Sequence, residues 1–188
     1  MQAKRIFIAF DISNEARTTA VDHLEKLKRE FPDCHAAWTN ANKLHYTMRF
    51  LGDVEVGKIE AVAQVVDETA AKSKAFDLRI SGTGVFPSPN KARVIWLGTK
   101  GDLEEVALLK SGLDNRLAGL GFERESKRFT PHLTLARVKD PIGCRPLVEK
   151  HLESVVESAP FTVGEIIIYE SQLRPTGSVY TVLKRARL

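Results

Sequence analysis

The chain has 188 residues, 43% of them hydrophobic and 28% charged, a composition that supports one substantial core and excludes disorder and collagen-like structure. Lys and Arg total 28 against 24 Asp and Glu, a formal charge of +4; this mild basic excess suits a polyanionic ligand without requiring one. Cys34 and Cys144 share no short metal-ligand spacing. They are too far apart to read as a disulfide framework, so a reducing cytoplasm is the expected setting.

The first residues pass directly into an apolar run at 6–10 that is too short and strand-like for a signal peptide, and no stretch approaches the roughly 18 apolar residues of a membrane span. Residues 5–10 read as a buried strand. Asp11, Ser13 and Asn14 then offer caps for a helix over 15–30, with Val21, Leu24 and Leu27 on one face. A strand over 44–51 ends at Gly52 and Asp53, and 56–71 carries Ile59, Val62, Val65 and Val66 at helical spacing. Strands over 75–81 and 93–97 flank a loop at 82–90, whose two glycines and two prolines predict ordered but irregular backbone. The rest reads as a helix over 103–120, a strand over 129–138, a helix over 147–156, and strands over 161–169 and 179–184. The pattern predicts mixed α and β structure, with sheets backed by helices.

One internal similarity organises the chain. Leu44, His45, Tyr46, Thr47 and Met48 match Pro131, His132, Leu133, Thr134 and Leu135 as His, any residue, Thr, apolar residue, with the histidines 87 positions apart. Each copy falls on a predicted strand followed by a turn and a helix. Since 87 is close to half of 188, residues 1–188 read as two related lobes of one domain, with no separating linker.

Alternate side chains on a strand share a face, so His45 projects with Thr47, and His132 with Thr134. If the lobes face each other about a pseudo-two-fold axis, two imidazoles and two hydroxyls line one cleft, a site for one phosphate. Imidazoles titrate near roughly pH 6.5, so a pair can hold one protonated and one neutral ring near neutrality. Opening a cyclic phosphodiester with water needs one proton removed and one delivered on opposite sides of phosphorus, and the threonine hydroxyls can donate to the non-bridging oxygens. No metal or other cofactor is demanded: zinc sites need three or four protein ligands, and no third His, Cys or clustered carboxylate joins this spacing. His23, His35 and His151 read as surface residues.

These motifs, with the stretches 5–11, 84–98 and 169–183, resemble the 2H phosphoesterase superfamily, specifically the bacterial and archaeal RNA 2′,3′-cyclic phosphodiesterases long called 2′-5′ RNA ligases. The resemblance covers nearly the whole chain. It implies an α+β bilobal fold in which two antiparallel-rich sheets face a central cleft, with helices outside. It implies hydrolysis of RNA 2′,3′-cyclic phosphate ends to 2′-phosphates, together with reversible, weak joining of tRNA halves through a 2′-5′ linkage. It also implies His45 as proton donor to the 3′ oxygen and His132 as the acceptor that activates water, with Thr47 and Thr134 holding the phosphate.

Further candidates are Arg49, two residues beyond Thr47 and so expected on its face, and Arg137; either offers a guanidinium to phosphate. Arg128, Phe129 and Phe86 are candidates for ribose contact and base stacking. Lys43, Lys91, Arg93 and Lys127 would extend a basic rim. A monomer is the default expectation. The rival readings are a phosphodiesterase acting on small cyclic nucleotides or ADP-ribose 1″,2″-cyclic phosphate, and an RNA-end-binding module without turnover.

Overall fold

The computed structural model describes residues 2–125, 129–175 and 177–188. Arg128 and Lys127, named above as an RNA contact and part of a basic rim, lie outside the described residues. The strands are β1 (Ala3–Asp11), β2 (Ala36–Trp38), β3 (His45–Glu55), β4 (Phe76–Phe86), β5 (Val94–Gly101), β6 (Leu133–Val138), β7 (Phe161–Val163), β8 (Glu165–Arg174) and β9 (Gly177–Arg187). The helices are α1 (Asn14–Glu30), α2 (Val56–Ala70), α3 (Leu103–Gly119) and α4 (Arg145–Glu153).

All nine strands join one antiparallel sheet in the order β7-β4-β5-β6-β3-β1-β8-β9, with β2 added on β6. The sheet has two halves. One comprises β3, β1, β8 and β9; the other is built from the chain between β4 and β7, with β2. They meet between β3 and β6 at one register pair, Tyr46↔Leu133. These two residues occupy the same place in their respective motifs, which is what a two-fold axis through the junction requires. The expected pair of facing sheets is thus one curled sheet, its halves joined between the two motifs.

The core lies on the face opposite the motif histidines, where Ile6, Ile8, Phe10, Tyr46, Leu133 and Leu135 are all at 1% exposure or less. α1 starts where Ser13 accepts a hydrogen bond from Ala16 N at 3.1 Å, the side-chain cap that satisfies an orphan N–H. It buries Ala16, Ala20, Leu24 and Leu27 and packs against α4 and β4. α2 buries Val62, Ala63 and Val66 and packs against α3, β3, β8 and β9.

Four local expectations change. The predicted loop at 82–90 is strand as far as Phe86, because a register shift between Ile80 and Thr83, with Gly82 at φ 83°, bends β4 without ending it. The strand expected over 129–138 begins only at Leu133, leaving His132 just ahead of it. The strand expected over 161–169 breaks at Gly164 into β7 and β8, and β2 carries too few residues to show periodicity. Finally, Cys34 and Cys144 form a disulfide. It ties the chain just after α1 to the residue that precedes α4, and removes the support that two free thiols gave to a reducing compartment.

Candidate active site

The approach to His45 is fixed from α1. Arg17 donates through one guanidinium nitrogen to Ala41 O (2.6 Å) and Leu44 O (3.2 Å), pinning the 3-10 turn Ala41–Lys43 against the start of β3. His45 Nδ1 then lies 2.7 Å from Lys43 O. A carbonyl only accepts, so Nδ1 carries the proton and Nε2 of the neutral ring is the basic atom. Thr47 Oγ1 lies 3.0 Å from that Nε2.

His132 repeats the arrangement: its Nδ1 lies 2.7 Å from Thr130 O, again two residues upstream, and its tautomer is set in the same way. Both motifs therefore leave Nε2 as the ring nitrogen able to accept a proton.

His45 is held among aromatic rings: Phe7 stacks on it at 4.9 Å, Tyr180 meets it edge-on at 5.5 Å and Tyr169 stands at 6.2 Å. His132 has its own wall, Phe86 edge-on at 5.0 Å and Trp96 at 6.1 Å. Burial is the main cause that holds each imidazole below its ordinary value. At His45 the Lys43 carbonyl and Asp11 pull the other way, while Arg17 and His132 lower it further. At His132 the Thr130 carbonyl opposes the lowering and Arg137 adds to it. His132 is thus close enough to act on the charge of His45.

Beside the sheet junction a cavity of about 170 Å³ is walled by His45, Thr47 and Thr134, with Lys43, Arg137 and Tyr180 around them. Phe7, Phe50 and Ser171 also line it. A hydroxyl from each motif and the cationic side chains of Lys43 and Arg137 surround a space large enough for a phosphate. Among the described residues no group of three or more His, Cys, Asp or Glu gathers as metal ligands.

The lower-ranked candidates divide. Arg137 lines the cavity, although it stands three residues beyond Thr134, because the register of β5 against β6 passes from Trp96↔Thr134 to Ile95↔Ala136 and Leu135 is an extra residue; Phe86 stands against His132. Arg49 does not share the face of Thr47. The register of β1 against β3 passes from Ala9↔Thr47 to Ile8↔Arg49, so Met48 is an extra residue, and this bulge turns both Met48 and Arg49 away from the cleft. Phe50 takes the cleft position instead. Arg49 is buried at 5% exposure between Asp114 (3.6 Å) and Glu125 (3.5 Å), and it donates to Glu123 O.

Phe129 lies outside the motif cavity, with Lys110 over its ring at 5.6 Å. It lines a separate cavity of about 870 Å³ between α3, β5 and the segment before the second motif, which none of the motif histidines and threonines line. Arg93 donates to Lys139 O, and Lys91 is exposed. The expectation that His23 and His151 are surface residues is overturned, because they form a buried pair at 3.0 Å; His35 is exposed.

Sequence reasoning missed the residues around His45. Phe7 is adjacent to it in space through β1, and Tyr169 and Tyr180 arrive from the last two strands. Tyr169 O–H donates to the Asp11 carboxylate at 3.0 Å, and Asp11 is the register partner of His45. The available signal was the stretch 169–183, which stood out without suggesting a role for either tyrosine.

This fold and paired-motif site define a class, and comparison with known proteins agrees. Residues 14–174 match the model of the 2′-5′ RNA ligase superfamily, and the chain belongs to that family. It is 34% identical over 187 residues to the RNA 2′,3′-cyclic phosphodiesterase of Methanothermobacter thermautotrophicus, covering 98% of each chain. It is 35% identical over 181 residues to the protein of the same name from Thermotoga maritima, covering 95% of this chain and 92% of that one. Among solved structures it resembles E. coli LigT complexed with 3′-AMP, with a TM-score of 0.79 at 25% identity over 100% of this chain and 99% of that one. It also resembles TT0787 of Thermus thermophilus, with a TM-score of 0.78 at 26% identity over 98% and 97% of the respective chains.

Proposed function

We propose that this protein hydrolyses RNA 2′,3′-cyclic phosphate ends to 2′-phosphates, with His45 and His132 as the acid and base. The observation that carries the reading is the repeated Nδ1–H to carbonyl bond, which fixes the same tautomer in both motif histidines, with His45, Thr47 and Thr134 lining a cavity that can hold a phosphate. The names of full-length relatives at about a third identity support the substrate class.

In the proposed reaction, neutral His132 takes a proton from water as the water oxygen bonds to phosphorus. The P–O3′ bond breaks and protonated His45 delivers its proton to the 3′ oxygen. The phosphate remains on the 2′ oxygen, and the two rings exchange protons with solvent to reset. Thr47 and Thr134 donate to the non-bridging oxygens, and Arg137 balances their charge. Both proton transfers come from side chains, so a chelator leaves the rate unchanged. A 5′-hydroxyl in the place of water gives a 2′-5′ linkage, the route by which tRNA halves would be joined. We assign the chain, 1–188, to one bilobal domain acting as a monomer and, with RNA as its substrate, to the cytoplasm. No helix among the described residues is long and apolar enough to cross a membrane.

The test is incubation, with chelator present, with a short oligoribonucleotide ending in a 2′,3′-cyclic phosphate, reading the phosphate position in the product. A 2′-phosphate is expected, with His45→Ala and His132→Ala each losing on the order of 100-fold or more. A 3′-phosphate would reverse the assignment at the ribose. Turnover of small cyclic nucleotides but not of the oligomer would move the substrate class.

A further inference from the structure

His23 and His151 stand apart from the two motifs, yet both are buried, at 8% and 0% exposure. His23 comes from α1 and His151 from α4, with Nε2 of the first 3.0 Å from Nδ1 of the second. His151 Nε2 lies 3.2 Å from Gly84 O and 3.1 Å from Trp96 O. Carbonyls only accept, so Nε2 of His151 carries the proton, its Nδ1 is bare, and His23 donates to it through Nε2. The chain of donors has one consistent arrangement, and in it both rings are neutral.

Gly84 and Trp96 are register partners across β4 and β5, and the side chains beside them form the wall of His132. The Trp96 ring lies flat over Gly84, so close that a Cβ there would come 2.1 Å from a ring carbon. Phe86, two residues on from Gly84, packs on Trp96 at 5.0 Å and on His132 at 5.0 Å. The backbone that His151 grips is therefore the backbone that aims both rings.

We propose that the His23–His151 pair is a positioning device for His132: a single imidazole N–H, shared between the carbonyls of Gly84 and Trp96, fixes the strand pair that carries the aromatic wall of that histidine. The inference rests on the reading of His132 as a reacting group. Neither His23 nor His151 touches the motif cavity, and both act through β4 and β5.

The pair also responds to pH. A proton on Nδ1 of His151 would set two N–H groups against each other and break the link, whereas one on Nδ1 of His23 leaves its Nε2–H donating. Burial, then His151 and Lys26, lower His23 to about 4. The charged groups facing it are Asp22 and Lys26 on α1, Lys150 and Glu153 on α4, and Glu157, which line the groove above the pair. Among the described residues, none of those lining this groove comes from a strand of the sheet.

The test is an NMR titration of the imidazole resonances of the full chain, wild type against His151→Phe and His23→Leu, with circular dichroism to establish folding. In His151→Phe the Gly84 and Trp96 carbonyls lose their donor, the wall loosens and His132 regains water. Its titration midpoint then rises toward the ordinary imidazole value of about 6.5 while that of His45 stays in place. His23→Leu shifts it the same way by less. kcat/KM on a cyclic phosphate falls roughly ten- to a hundredfold, with the His132 limb of its pH profile displaced.

Unchanged His132 midpoints in folded variants would overturn the proposal. If His151→Phe does not fold, the wild type decides: the Trp96 indole resonance should move in step with the titration of His151, whose Nε2–H is bonded to the Trp96 carbonyl, and an indole resonance that stays flat through that titration refutes the link. A wild-type chain inactive on every cyclic phosphate would sink the catalytic reading but leave the imidazole titration to be judged alone.

Discussion

Both motif histidines are held below the ordinary imidazole value, chiefly by burial, and acid–base catalysis by the pair needs one ring protonated and one neutral. The population of that form peaks midway between the two titrations. Lowering both moves the peak to the acid side of about pH 6.5, the value for free imidazole. The profile of kcat/KM, which reports the free enzyme, is therefore expected to be bell-shaped with its maximum below about 6.5; a maximum on the alkaline side of that value would mean that at least one ring is not lowered as its surroundings imply. At this scale the sequence was informative wherever the chemistry is local. His45 with Thr47 follows from the two-residue period of a strand, whereas His132 lies just ahead of β6. Arg49 obeyed the same rule on paper and broke it in space, because one extra residue in a ladder reverses every face beyond it. His23 and His151 are 128 positions apart, and no local pattern announces a pair at that distance.

Among the elements, β4 and β5 bear most directly on the second motif. Gly84 is required by contact: any side chain there meets the Trp96 ring at 2.1 to 2.6 Å. Gly84→Ala should displace Trp96 and with it Phe86, destabilising the fold by about 1–3 kcal/mol as overpacking does. It should also slow turnover beyond what that loss of stability explains. Chemical denaturation beside kcat/KM at a temperature where the variant is fully folded separates the two effects; full activity in the folded variant would show that the wall need not be rigid. The helices were legible because their apolar period is long and regular, as with the buried Ala16, Ala20, Leu24 and Leu27 of α1. β4 was not, since glycines that punctuate a loop also permit a bulge, and only pairing with β5 distinguishes the two. β2 has three residues and exists because β6 offers it an edge.

For the molecule as a whole, the Cys34–Cys144 disulfide fastens α1 to α4 across a sequence separation of 110. In a chain-entropy account a loop of that size stabilises by about 4–5 kcal/mol. Protein purified without reductant should show no reactive thiol when unfolded, and Cys34→Ser with Cys144→Ser should lower the melting temperature while leaving turnover in the cold near that of the wild type. Two reactive thiols in the oxidised preparation would mean that the bond does not form. Two cysteines with no local spacing carry no signal of their partnership, so the sequence pointed to the wrong redox state. The doubled architecture was readable for the opposite reason: two motifs 87 residues apart survive as a repeated pattern, and the pair Tyr46↔Leu133 is that repeat folded onto itself.

The path of the sheet also sets an order of assembly. Apart from β2, the half with the second motif is made from one stretch between β4 and β7, whereas the half with the first is begun by β1 and β3 and finished only by β8 and β9. A chain emerging from the ribosome thus holds both histidines well before it holds Tyr169 and Tyr180, which flank His45. Until those last strands dock on β1, His45 faces open solvent and β1 presents a bare edge. Competence for RNA would then arrive late in synthesis, and the unpaired β1 edge is the surface that a waiting chain most needs shielded.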